Sequence, residues 1–141
     1  MEINNCINFL LSASQNAVFQ YFAKQLSKFN ITPAQYGVLS CLWHFKELSP
    51  KKLGEMLYLE TSSVSGILDR MQKNGWIERN IDPNNRRAIL VSLTQKALDI
   101  QEDVETVVDE MNAKFLASFS FEEQTALKSA LNHIINLDTQ K

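Results

Sequence analysis

The sequence holds few residues that interrupt regular structure: four glycines and three prolines in 141 residues, too few for a loop-rich or disordered chain. Helices should dominate. Cysteine is equally scarce. Cys6 and Cys41 lie far apart without Cys-x-x-Cys spacing, so neither a disulfide framework nor a thiolate metal site is signalled, and a buried, reduced thiol is the ordinary expectation for each. The two histidines, His44 and His133, form no HxxxH or Glu/His cluster, which gives no zinc site. No run approaches the roughly 18 apolar residues of a membrane span. The stretch from Met1 to Asn8 lacks the basic start and apolar core of a secretion signal, so the expected address is the cytoplasm, away from any membrane. Glycine-rich phosphate loop, nucleophile elbow, HExxH and paired-carboxylate settings are all missing, so no enzyme is expected and no cofactor is signalled.

What is present suits one folded domain, with 45% hydrophobic and 21% charged residues. A length of 141 residues can bury a real core. Net charge is −2 with a pI near 5.7, which taken whole speaks against nucleic-acid binding. Its distribution reverses that. Seven basic residues (Lys51, Lys52, Arg70, Lys73, Arg79, Arg86, Arg87) face five acidic ones between Ser49 and Leu90, while the rest of the chain carries seven against eleven. A mildly basic middle within acidic flanks is what a local phosphate-binding surface produces.

Apolar residues at 7, 10, 11, 17, 18, 21 and 22 make one helical stripe and predict a first helix over 4–28. Thr32-Pro33-Ala34-Gln35 reads as a capping box with proline at the first helical position, opening a helix over 33–46. Ser49-Pro50 repeats the signal for a short helix over 50–57. Another begins near Thr61, carries Val64, Ile67, Leu68 and Met71 at i, i+3, i+4, i+7, and stops at Asn74-Gly75. Two short helices around a tight turn are a helix-turn-helix. The alternation from Trp76 to Ile81, the turn residues Asp82-Pro83-Asn84-Asn85 and the β-formers from Ala88 to Leu93 predict a two-stranded hairpin with a basic tip. Thr94 caps a long acidic helix, and Ser120-x-x-Glu123 opens a last one. The expected fold is mainly α, a winged helix-turn-helix over 33–93, with long terminal helices over 1–30 and 94–141.

The stripe of the 61–74 helix must face the core, which turns Thr61, Ser62, Ser63, Ser65, Gly66, Asp69, Arg70 and Lys73 outward. Such a small, hydroxylated face admits a helix closely into the major groove of double-stranded DNA. Arg86 and Arg87 at the hairpin tip can enter a minor groove or clamp phosphates. Asp69, Glu78 and Asp82 are wrong for direct DNA contact, yet a carboxylate among arginines can fix their rotamers.

The runs from Leu48 to Glu55, from Ser62 to Met71 and from Asn74 to Arg79 together resemble the DNA-reading lobe of the MarR (multiple antibiotic resistance) family of transcription regulators. That family's wing pattern of Asp-x-Arg, five residues, Leu-Thr, two residues and Gly falls on Asn85, Arg87, Leu93-Thr94 and Ala97. Asn85 stands for the aspartate and Ala97 for the glycine. The first change removes a carboxylate that braces the wing arginine, so Asp82 or an amide hydrogen bond must substitute. The resemblance spans nearly the whole chain. It implies a homodimer built from the first and last two helices, acting as a repressor on a pseudo-palindromic operator.

The resemblance further implies release from DNA by a small aromatic or phenolic ligand, in a pocket lined by residues such as Tyr36, Trp43, His44 and Phe45. In the peroxide-sensing branch the reactive thiol lies in the first helix. Counting back without gaps from Asn30-Ile31-Thr32 puts Asn8 at that position, with Ser12 and Phe22 where tyrosine partners would stand. Cys6 remains the candidate redox thiol, a helix start being a general setting for reactive cysteines. The alternatives to a ligand-released regulator are therefore a cysteine-based redox sensor and a winged helix used only for protein contacts.

Overall fold

The computed structural model describes residues 1–137; positions 138–141 of the expected C-terminal helical region lie outside them. The order is α1 (Ile7–Leu26), α2 (Pro33–Phe45), β1 (Glu47–Leu48), α3 (Pro50–Leu57), α4 (Thr61–Lys73), β2 (Ile77–Asp82), β3 (Asn85–Leu93), α5 (Gln95–Asp99), α6 (Gln101–Leu116) and α7 (Phe121–Leu137). The three strands are antiparallel in the order β1-β3-β2.

Local chemistry starts these helices where the sequence indicates. The Thr32 hydroxyl accepts from Gln35 N at 3.2 Å while Gln35 Oε1 accepts from Thr32 N at 3.1 Å, a reciprocal capping box that satisfies two otherwise unpaired donors. Ser120 and Glu123 form a second one at the start of α7. Ser49 caps α3 by accepting from Lys52 N at 3.0 Å. After α4, Gly75 takes φ +82°, the left-handed conformation that ends a helix cheaply only for glycine.

Three elements differ from expectation. The first helix is shorter than 4–28, flanked by 3-10 turns at Ile3–Asn5 and Ser27–Phe29, the second ended by left-handed Asn30. The helix after Thr94 is two helices, because Ile100 departs from helical geometry (φ −96°, ψ −3°); the bend lets α5 bury Ala97 below the sheet and α6 bury Val104 and Val107. The sheet gains a third strand. Glu47 and Leu48 pair with Ser92 and Val91, covering one edge of the hairpin.

One core joins the C-terminal end of α1, helices α2 to α4, the inner sheet face and the start of α6. Leu26, Leu39, Leu42, Leu53, Leu68, Met71, Ile77, Val91 and Val104 are fully buried in it. The Trp43 indole N–H donates to Ala97 O at 3.1 Å and ties α2 to α5. Ala97 is completely buried, so the alanine fits where the resemblance expects glycine. The front of α1, the end of α6 and all of α7 contribute nothing to this core: α7 buries no residue, and Leu127, Leu131, Ile134 and Ile135 are each 37–42% exposed.

Candidate nucleic-acid interface

Between α3 and α4 the chain turns through Tyr58 at φ +56°, and Leu59 N donates to Gly54 O at 2.9 Å. A Cβ on Gly54 would lie 3.0 Å from the Leu59 carbonyl and 3.3 Å from Val64 Cγ2. The two helices approach this closely because position 54 has no side chain. Val64, Leu68 and Met71 then anchor α4 in the core, and Thr61, Ser62, Ser63, Ser65, Gly66, Asp69, Arg70 and Lys73 are all exposed on its outer surface. No side chain caps the N-terminus of α4 at Glu60, so the positive end of its dipole is open to an anion.

Gly66 is instructive. Apart from its own helix backbone, a Cβ there would meet no atom within 4 Å. A glycine inside a helix costs about 1 kcal/mol relative to alanine, and no packing within the chain requires it.

The wing extends beyond α4. Ile81 pairs with Ile89, but the next pair is Asp82 with Asn85, so Arg86, Arg87 and Ala88 stand as an irregularity without cross-strand partners, the arrangement by which bulges re-aim side chains. Both arginines are exposed, and among the described residues neither guanidinium is ion-paired. Asp82 accepts from Asn84 N at 2.9 Å, and Asn85 Oδ1 accepts from Arg87 N at 3.2 Å. The amide at 85 thus fixes the backbone of Arg87 and leaves its guanidinium free.

A residue that the sequence did not single out ties wing to helix. Arg79 on β2 donates from Nη2 to Asp69 Oδ1 at 2.7 Å and from Nε to Gln72 Oε1 at 2.6 Å, both on α4. Two bonds from one planar guanidinium set orientation as well as distance. Asp69, unfavourable for DNA on its own, is the carboxylate that fixes an arginine. The signal was present only as an acidic residue on the outer helix face.

The expected ligand residues lie apart from this surface. Partly buried Tyr36 meets buried Phe22 edge-on at 5.2 Å and partly buried Trp43 at 6.4 Å between ring centres, whereas His44 is exposed and packs on Phe45 at 4.5 Å. Tyr36 and Trp43 share one cluster; His44 is turned out of it. Cys6 is the N-cap of α1 and partly buried. Cys41 sits on α2, where burial pushes its thiol pKa up against a smaller opposing effect of a backbone hydrogen bond, which keeps it protonated near neutrality.

A helix-turn-helix with an exposed second helix, followed by a hairpin bearing free arginines, is a winged helix-turn-helix of the DNA-binding class. The MarR family profile matches residues 31–89. An organic hydroperoxide resistance transcriptional regulator of Bacillus subtilis is 33% identical over 141 residues, covering all of this chain and 95% of the relative. The regulator MgrA of Staphylococcus aureus is 30% identical over 91% of this chain and 86% of its own length. Among solved structures, a cysteine-to-serine mutant of E. coli MarR complexed with operator DNA superposes with a TM-score of 0.85 at 25% identity, covering 95% of this chain and 99% of that one. The chain belongs to the MarR family of transcription regulators. It is a DNA-binding regulator and not an enzyme.

Proposed function

We propose that two copies of the chain join through α1, α6 and α7 and read a pseudo-palindromic operator as a repressor in the cytoplasm. Thr61, Ser62, Ser63, Ser65, Gly66, Arg70 and Lys73 enter the major groove, and Arg86 and Arg87 reach the flanking minor groove or its phosphates. The observation that carries this is Gly66. A helix that forgoes alanine at an outward position with nothing packed on it is shaped for something outside the chain, and the wing that follows α4 carries exposed arginines outside any ion pair among the described residues. Close approach of a DNA edge supplies the reason.

Gly66→Ala should therefore move two measurements in opposite directions. Thermal unfolding should show a fold more stable by about 0.5–1 kcal/mol, while binding to the promoter DNA beside the protein's own gene weakens about tenfold as the methyl holds the helix off the groove. Stability and affinity rising together would show that α4 does not enter a groove.

No helix among the described residues is long and apolar enough to cross a membrane. A small aromatic or phenolic effector would act where α2 meets α1 and α5, loosening the Phe22, Tyr36, Trp43 cluster that holds the reading lobe to the helical base. The B. subtilis relative is named for organic hydroperoxide resistance, which makes Cys6 the competing trigger. The gapless register puts Asn8 where the sensing thiol belongs, so Cys6→Ser should leave the small release of DNA by cumene hydroperoxide unchanged in a mobility-shift titration. Release that is large in the wild type and vanishes in the variant would make the thiol the switch.

A further inference from the structure

Along β2 the side chains of Ile77, Arg79 and Ile81 share one sheet face. Ile77 is buried in the core and Arg79 reaches α4, but Ile81, two residues further out, is 65% exposed. Its cross-strand partner Ile89 is 45% exposed. The face that Arg79 ties to the recognition helix therefore continues outward as a bare pair of isoleucines, immediately inside Arg86 and Arg87. Serine or threonine would serve a merely solvated strand; two β-branched apolar residues side by side leave surface in water that favours an apolar cover. The doubly bonded Arg79 guanidinium holds this face on the side of α4 that carries the outward serines.

We propose that Ile81 and Ile89 form an apolar contact with the deoxyribose walls of the minor groove that the wing enters. The inference rests on the reading of the wing as a DNA-contacting element, with which the pair is continuous. Sugar walls fit because they are the apolar part of the groove's sides, and minor-groove proteins do bring isoleucine and leucine to that groove, there as wedges between base steps. The flanking unpaired arginines supply the charge complementarity that brings such a wall into reach. The contact adds affinity without releasing counterions.

The salt dependence of binding separates this contact from a charged one. Own-promoter DNA is titrated over a salt series with wild type, Ile81→Thr/Ile89→Thr, Ile81→Val/Ile89→Val and Arg87→Ala. Threonine keeps the branched strand geometry and removes apolar surface. The threonine variant should lose about tenfold in affinity per wing at every salt concentration with the wild-type slope, and the valine variant should retain most of it. Arg87→Ala should instead lower the slope by about one unit per wing. If the threonine variant binds like wild type while Arg87→Ala lowers the slope, the wing touches DNA but the isoleucines do not, and the proposal fails. If Arg87→Ala also leaves the slope unchanged, the reading of the wing itself fails. Equal losses in the threonine and valine variants, or unchanged DNA binding with altered transcription in vitro, would assign the pair to wing folding or to a protein partner and overturn the contact.

Discussion

Leu131→Asp should turn the protein into a monomer in light scattering at micromolar concentration and weaken operator binding about a hundredfold or more. Leu131 stands on α7, a helix of 17 residues that buries none of them within its own chain. Most of a helix's stability in a protein comes from tertiary packing of its apolar face. Its apolar residues, with Ile7, Leu10 and Leu11 of α1 and Phe115 of α6, line an open cleft of about 960 Å³. A second copy laying its own α1 and α7 there would remove the wet apolar surface from both chains. A carboxylate placed at position 131 would be desolvated in that interface without a partner, which opposes association strongly. The loss of affinity follows because one chain then engages one half-site, and the gain from linking two recognition helices on one rigid body disappears. The isolated core of α2 to α4 and the sheet should keep its circular dichroism, since Leu131 does not touch it. A dimer that survives the substitution would place the interface elsewhere.

Gly54→Val should abolish DNA binding by a different route, through loss of the reading lobe itself. The space where its Cβ would stand holds the Leu59 carbonyl at 3.0 Å and a methyl of fully buried Val64 at 3.3 Å. The first is backbone held by its own turn, the second is fixed by the core, and neither can yield as the end of a long side chain would. Valine adds two further methyl groups, so α3 and α4 must separate. Overpacking at such a site costs about 1–3 kcal/mol, and more where backbone is the obstacle. Gly54→Ala should show a smaller loss of the same sign in urea unfolding. Wild-type stability in the valine variant would mean that the helices of the turn pack less closely than described.

The elements read from the sequence were those written in local chemistry. Both capping boxes, the Ser49 cap and the left-handed Gly75 are contacts within three or four residues of chain, and side-chain type alone decides them. What escaped depends on how distant segments return to each other. Glu47–Leu48 is too short to show alternation and is a strand only because Ser92 and Val91 lie beside it. The bend at Ile100 has no glycine or proline to announce it; it arises because α5 packs under the sheet and α6 along α1. The alternation from Trp76 to Ile81 was legible, yet it gives Ile81 the same standing as Ile77, and only the packing of distant segments decides that one is buried and the other bare. For the site, the outward residues of α4 and the wing arginines followed from helical periodicity and turn chemistry, whereas the link from Arg79 to Asp69 and Gln72 needs β2 to fold back along α4.

The central claim, that a symmetric pair of these chains reads DNA sequence through α4 and the wing, is tested most directly by footprinting the wild-type protein on its own promoter in the presence of excess random DNA. Two protected half-sites related by a two-fold axis are expected, with centres about one helical turn, 34–36 Å, or a multiple of that apart. Their affinity should exceed that for random DNA by about a thousandfold or more at physiological salt. Uniform protection, or equal affinity for promoter and random DNA, would contradict it.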